Sequence, residues 1–355
     1  MRKVLFFIAI IALFSCDTVP VKHEVHLDLE TMGTWGSVKI VSDSLYDEAS
    51  LQHDIDSILW DVNMEFSTYI DSSTISRLNS LNIPNGRLSL PSEETFQFVY
   101  ENAHQVMLKT NGAFDFKIKP LVDYYKTIDF DINSIDSVWI DSLITSNSMK
   151  GDLLFGKLCV NGYAECRLID SVNVAYIGRN GAFQLDFSAI AKGYGVDVIA
   201  YYLEDIGVEN YMVEIGGEVH VKGKNAKDEY WRLGIEEPNE EERSIYAIVS
   251  LQDKSMATSG NYRNFKILEN GQKIVHIINP RTGYPEISNL LSATILADDC
   301  MSADAYATAC MVMGLEDCYA FVDSMPDLDA YLIYSDENGD LQETHTAAFD
   351  SILVH

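Results

Sequence analysis

The sequence predicts an α+β fold in which antiparallel sheets pack against helices. Two observations carry that expectation. Stretches with apolar residues at every second position follow one another in hairpin succession at Tyr211–Ile215, Val219–Val221, Trp231–Ile235, Ile245–Leu251 and Leu291–Ala297. Helical periodicity is confined to a few long segments, so the one-for-one alternation of strand and helix that a doubly wound parallel sheet requires is missing. A chain of 355 residues with 47% hydrophobic and 22% charged residues can bury a large core, as one large domain or two closely packed smaller ones.

At the N-terminus, Arg2 and Lys3 precede the apolar run Val4 to Phe14, then Ser15 and Cys16. This is the pattern of an export signal, and the run is too short to span a bilayer stably. The ending Leu13-Phe14-Ser15-Cys16 resembles a bacterial lipobox, in which Cys16 is lipidated and becomes the mature N-terminus; a secretory signal with an incidental Cys is the alternative. Both lead out of the cytoplasm. The expected organisation is a signal peptide at 1–15, the lipidated Cys with a tether at 16–27, and a folded body at 28–355. Asp17 behind a lipidated Cys16 is consistent with inner-membrane retention, the body facing the periplasm.

With 54 acidic against 25 basic residues, the formal charge of -29 repels nucleic acid and anionic lipid, so no nucleic-acid partner is expected. A divalent cation suits such a surface, whereas a phosphate ligand needs locally supplied positive groups. Beyond Cys16 stand Cys159, Cys166, Cys300, Cys310 and Cys318, an odd number that argues against a full disulfide framework. Cys159 and Cys166 are close enough in sequence to bridge, with buried free thiols the ordinary alternative.

Helical spacing of Leu51, Ile55, Leu59, Val62 and Phe66, and of Phe96, Val99 and Met107, predicts amphipathic helices over 51–66 and 93–108. Residues 125–185 are less regular and read as a small lobe. After Asp186, Ile190, Tyr194, Val198 and Tyr202 mark one helix face. The last long helix is expected from Ser302, a candidate N-cap, to Met313, with Gly314 as its stop and a strand at Tyr331–Tyr334 beyond.

Four segments carry chemistry. In Ala303-Asp304-Ala305-Tyr306-Ala307-Thr308, a carboxylate and a hydroxyl lie four residues apart on one helix face, a pair of hard oxygen donors that suits magnesium. A dipole-stabilised Asp and a Thr bonded to its own backbone are the plain alternative. Asp186 to Gly195 passes from strand end to helix start through small residues, and Lys192 adds positive charge where exposed N–H groups favour an anion. A solvated Lys at a tight turn is the other meaning. His276-Ile277-Ile278-Asn279-Pro280-Arg281-Thr282-Gly283 runs from a strand into a rigid turn; His276 can serve as a base, and Arg281 can steady the loop or a phosphate. A surface His and an Arg paired with an acidic neighbour fit equally well. In Gly112-Ala113-Phe114-Asp115, a Phe ring beside a carboxylate can face a flat heterocycle, or be a buried Phe next to a turn-capping Asp.

In order along the chain, Met32-Gly33-Thr34, Ser67-Thr68-Tyr69, Ser76-Arg77-Leu78-Asn79, Gly112 to Asp115, Ala191-Lys192-Gly193-Tyr194, Glu214-Ile215-Gly216-Gly217-Glu218, Thr258-Ser259-Gly260, His276 to Gly283 and Ala303 to Thr308 resemble the ApbE family. That resemblance implies a T-fold-like α+β architecture, often an exported lipoprotein, and FAD:protein FMN transferase activity. It implies FAD contacts at Met32, Tyr69, Ala113, Phe114, Asp115, Asp186, Lys192 and Ile277. Magnesium would be held by Asp304, Thr308 and the carbonyl of Ala189, with His276 as base. Acceptors would be flavoprotein subunits of membrane redox complexes, modified on a Thr or Ser hydroxyl as AMP leaves. An FAD pyrophosphatase giving FMN and AMP, or a non-catalytic flavin-binding lipoprotein, are the rival readings. Asn279 and Asn261 stand where many members carry Asp, and residues 125–185 match the family poorly.

Overall fold

The computed structural model describes residues 22–80, 87–90, 93–128, 131, 134–145, 152–157, 175–180, 183–238, 244–261, 265–267, 273–275, 277–286 and 288–354. The first half comprises β1 (His23–Thr31), β2 (Thr34–Ser42), α1 (Glu48–Phe66), α2 (Thr74–Asn79), β3 (Arg87–Leu90), α3 (Glu93–Lys109), α4 (Lys119–Thr127), α5 (Ser137–Thr145), β4 (Asp152–Lys157) and β5 (Ala175–Asn180). The second comprises α6 (Ala191–Asp205), β6 (Tyr211–Ile215), β7 (Glu218–Lys222), β8 (Trp231–Glu236), β9 (Ile245–Leu251), β10 (Lys254–Gly260), β11 (Phe265–Ile267), β12 (Lys273–Val275), β13 (Leu290–Ala297), α7 (Cys300–Met313), α8 (Leu315–Asp323), β14 (Asp329–Ser335) and β15 (Leu341–His345). A 3-10 turn follows at Ala347–Ser351.

An eight-stranded sheet in the order β1-β2-β6-β7-β10-β13-β14-β15 is antiparallel throughout, which bears out the α+β expectation. Period-2 alternation sends Tyr211, Val213 and Ile215 of β6 to the side packed by α1 and α6, and Ala293, Ile295 and Ala297 of β13 to the side packed by α7. The opposite side buries Val219, Val221, Met256, Leu296, Tyr331 and Ile333 under the β8–β9 hairpin and the 3-10 turn. One face of the sheet is thus helical and the other is closed by β-structure.

Several boundaries differ from the sequence reading. Residues 23 to 27, assigned to the tether, belong to β1, because Val25, Leu27 and Leu29 alternate inward and continue the sheet against β2. Helix α7 starts at Cys300, not Ser302: Asp299 is its N-cap and accepts from the Ser302 N–H at 2.7 Å. Gly314 ends it as expected, with φ 80°. Cys310 and Cys318 form a disulfide between α7 and α8, and Cys300 is a buried free thiol; Cys159 and Cys166 lie outside the described residues, as does Cys16. Within 125–185, β4 and β5 pair with each other, and β5 pairs with β3 from outside the lobe, in a small sheet of order β3-β5-β4. Helices α4 and α5 pack Leu121, Tyr125 and Ile140 against Ile278, and the Tyr125 hydroxyl donates to Gly283 O at 2.8 Å. This part of the lobe therefore buttresses the turn that carries Arg281.

Candidate active site

The site is built at the crossing of α6 and α7. Gly193 permits the crossing: a Cβ there would lie 2.3 Å from the Cys300 carbonyl oxygen, so its lack of a side chain serves helix packing rather than the close ligand approach expected from the sequence. Two acids lock the helices in register. Asp197 of α6, buried, accepts from the Cys300 and Met301 N–H groups at 2.8 Å each, satisfying donors that the first turn of α7 leaves free. In return, Asp304 of α7 accepts from the Gly193 N–H at 3.0 Å.

Beside Asp304, the Lys192 ammonium meets Glu218 Oε1, at the start of β7. Asp304 is 3% exposed and Glu218 2%. Burial pushes the Asp304 carboxyl above the ordinary carboxylate range, opposed by Lys192 and the Gly193 N–H. Glu218 is raised by burial and by Asp304, with Lys192 pulling the other way. For Lys192, burial favours the neutral form, yet Asp304 and Glu218 outweigh it and hold the group protonated above its ordinary value. Asp197 is raised to about 7 by burial and by Asp299. Thr308, one turn beyond Asp304, shares a 3.3 Å hydrogen bond with the hydroxyl of Ser259 on β10. Ala189 sits in the turn that opens α6 and is part-exposed.

The rim comes from loops. Arg281 donates through Nε to Asn111 O at 3.0 Å and through Nη2 to Thr110 O at 2.9 Å, so it fastens the end of α3, the loop-steadying role of the two foreseen. That loop continues through Ala113, Phe114 and Asp115 to Phe116, whose carbonyl accepts from the Asp186 N–H at 2.8 Å. Asn79 of α2 holds the segment just before Asp186, accepting from Leu185 N at 2.7 Å and donating to Leu185 O at 2.8 Å. Ala113 and Phe114 are buried at 1% and 3% exposure, and Asp115 accepts from the Lys117 N–H. The Phe114 ring therefore belongs to the core and not to an open face, because the turn at Gly112 directs it inward; contact with a ligand from Ala113 or Phe114 would be through backbone. Asp186 is half-buried and accepts from the Ser188 N–H and hydroxyl.

Met32, with φ 52°, caps the β1–β2 turn, and its methyl lies over Gly195 of α6. An open cavity of about 410 Å³ beside it is lined by Thr31, Met32, Trp35, Trp60, Asn63 and Ile70. Tyr69 is 83% exposed with the Lys126 ammonium 5.2 Å from its ring centre. Ile277 packs on the main core, and His276 lies outside the described residues. The structure thus gathers Lys192, Asp304 and Thr308, links Ala113–Asp115 to Asp186, and puts Met32 against α6. Sequence reasoning assigned no role to Glu218, Asp197 or Ser259. The signal for Glu218 was an acid in a strand right behind Gly216-Gly217; for Asp197 it was an acid among the small and apolar residues of α6.

The profile of the ApbE family matches residues 32–332. The chain belongs to the ApbE family. A relative from Vibrio cholerae called FAD:protein FMN transferase is 36% identical over 294 residues, covering 82% of each chain. One of the same name from Haemophilus influenzae is 33% identical over 338 residues, covering 91% of this chain and 90% of its own. Among solved structures, the flavin transferase ApbE from Vibrio cholerae superposes with TM-score 0.76 at 31% identity, covering 94% of this chain and all of that one. The apo flavinyl transferase ApbE of Pseudomonas stutzeri gives TM-score 0.76 at 25% identity, over 93% and 97% of the two chains. The ApbE architecture thus extends over nearly the whole chain.

Proposed function

We propose that this protein transfers the FMN half of FAD to a Thr or Ser hydroxyl of an acceptor flavoprotein, as a phosphoester, with AMP leaving and Mg2+ required. The carrying observation is the Lys192–Glu218–Asp304 group, both its acids buried, at the α6–α7 crossing of an ApbE-family chain whose relatives bear that activity in their names. The donor set fits magnesium: Asp304 offers a carboxylate, Thr308 a hydroxyl one turn on, and Ala189 a carbonyl, all hard oxygens. Among the described residues no group of three or more His, Cys, Asp or Glu side chains could hold a metal, so an oxygen site completed by water and substrate is the kind that suits. When bound, Mg2+ would supply Lewis-acid stabilisation of charge on the pyrophosphate.

The protein's own groups do the rest. Lys192, kept protonated, offsets phosphate charge at the start of α6. The acceptor oxygen bonds to the FMN-side phosphorus as the bond from that phosphorus to the AMP oxygen breaks, and His276 takes the hydroxyl proton. Met32, Tyr69, Ala113 to Asp115, Asp186 and Ile277 would contact FAD around this centre. Export as a lipoprotein through Cys16, with the body facing the periplasm from the inner membrane and acceptors in membrane redox complexes, agrees with the Cys310–Cys318 disulfide, a bond that persists in oxidising compartments.

The experiment combines purified protein, FAD, Mg2+ and an acceptor domain, and reads intact masses. A covalent FMN adduct with equimolar AMP supports the proposal. FMN and AMP released without an adduct would replace it by pyrophosphatase action, and intact FAD would leave a flavin-binding protein.

A further inference from the structure

Glu218 is a buried acid for which the transfer chemistry has no assigned use. It follows Gly216 and Gly217, whose φ values of 64° and 105° are open to glycine and make the turn that starts β7. Its neighbours on the strand, Val219 and Val221, point to the hairpin face, so Glu218 projects to the helical face beneath the α6–α7 crossing. There Oε1 holds the Lys192 ammonium, and Oε2 has no hydrogen-bond partner among the described residues. A buried carboxylate with a free oxygen costs stability, and a hydrophobic residue would fill the same space without that cost.

The position of Lys192 explains what Glu218 does. Lys192 precedes Gly193, whose N–H binds Asp304, so two carboxylates compete for one ammonium. We propose that Glu218 is a positioning residue that holds the Lys192 ammonium to itself and so leaves Asp304 free for a divalent cation. The inference rests on the metal reading above. With Glu218 ionised, the three groups sum to one negative charge (two carboxylates, one ammonium), which attracts a cation. With Glu218 made neutral they sum to zero, and Lys192 becomes an internal rival for Asp304. Removing Lys192 as well restores the single negative charge.

The test measures Mn2+ uptake by electron paramagnetic resonance, with Mg2+ competition, on the full folded chain with and without FAD. The variants are Glu218→Gln, Lys192→Met and the double variant, with Asp304→Asn as reference. Glu218→Gln should weaken binding on the order of 10- to 100-fold, the range for groups that support a metal ligand from behind. The double variant should regain most of that loss, which a merely structural role for Glu218 does not produce, and Lys192→Met alone should bind more tightly than the wild type. Wild-type affinity in Glu218→Gln, or a double variant as weak as Glu218→Gln, would overturn the inference while leaving the metal site in place. No uptake by the wild type, or uptake unaffected by Asp304→Asn, would remove the metal reading and this inference with it. Should Glu218→Gln fail to fold, Lys192→Met decides alone: binding equal to or weaker than wild type contradicts the proposal.

Discussion

The two faces of the eight-stranded sheet bury different things. The hairpin face encloses Val219, Val221, Trp231, Met256, Leu296, Tyr331 and Ile333, and its Thr258 and Thr294 hydroxyls pair with each other at 2.8 Å. On the helical face Glu218 and Asp304 are buried beside one half-buried Lys192, and a third carboxylate, Asp197, is buried against the first turn of α7. Like charges held together in an apolar surround oppose folding, and chains keep them where a ligand uses them. The hairpin face thus serves stability, and the helical face holds the candidate site.

Substitutions can break that division. The largest effect is expected from Asp304→Asn, which keeps an acceptor for the Gly193 N–H but removes the charge: transfer should fall about 10²- to 10³-fold, measured as the rate of adduct formation, with thermal stability unchanged or raised. On the other face, Trp231→Ala empties a core position and removes the Nε1 donor to Lys222 O; chemical denaturation should show a loss of about 3–5 kcal/mol while the rate per folded molecule holds. Gly193→Ala should do both at once, costing about 1–3 kcal/mol through the Cys300 clash and slowing transfer because Asp304 shifts.

The smallest effect is one of pH. Asp197 titrates at about 7 when folded, above its unfolded value of about 3.9, so between those values the folded state binds more protons. Stability contributed by this group is present below about pH 4, declines as pH rises toward 7 and is flat above. Urea unfolding at pH 5 and pH 8 should show that decline in the wild type, and a smaller one in Asp197→Asn.

Much of this was legible in the sequence, for local reasons. The strands 211–215 and 245–251 match their period-2 patterns to the residue, and α1 and α3 follow their apolar spacing. Asp304 and Thr308 were readable because both lie on one helix, four residues apart. What escaped depends on distant pairing. Asp197 holds α7 from another helix, Glu218 finds Lys192 across a turn and a helix start, and Cys310 finds Cys318 only once α8 folds back. Phe114 shows the converse: its neighbourhood to a carboxylate allowed a ligand face, and packing against the core decided otherwise.

The α6–α7 crossing is proposed to activate FAD through a divalent cation for transfer to protein. The deciding experiment incubates the wild-type protein with FAD and an acceptor domain, with Mg2+ or with excess chelator, and determines the mass of the acceptor. An FMN adduct on a Thr or Ser is expected with Mg2+ and none with chelator; an adduct that forms equally well in chelator would rule out a role for the cation.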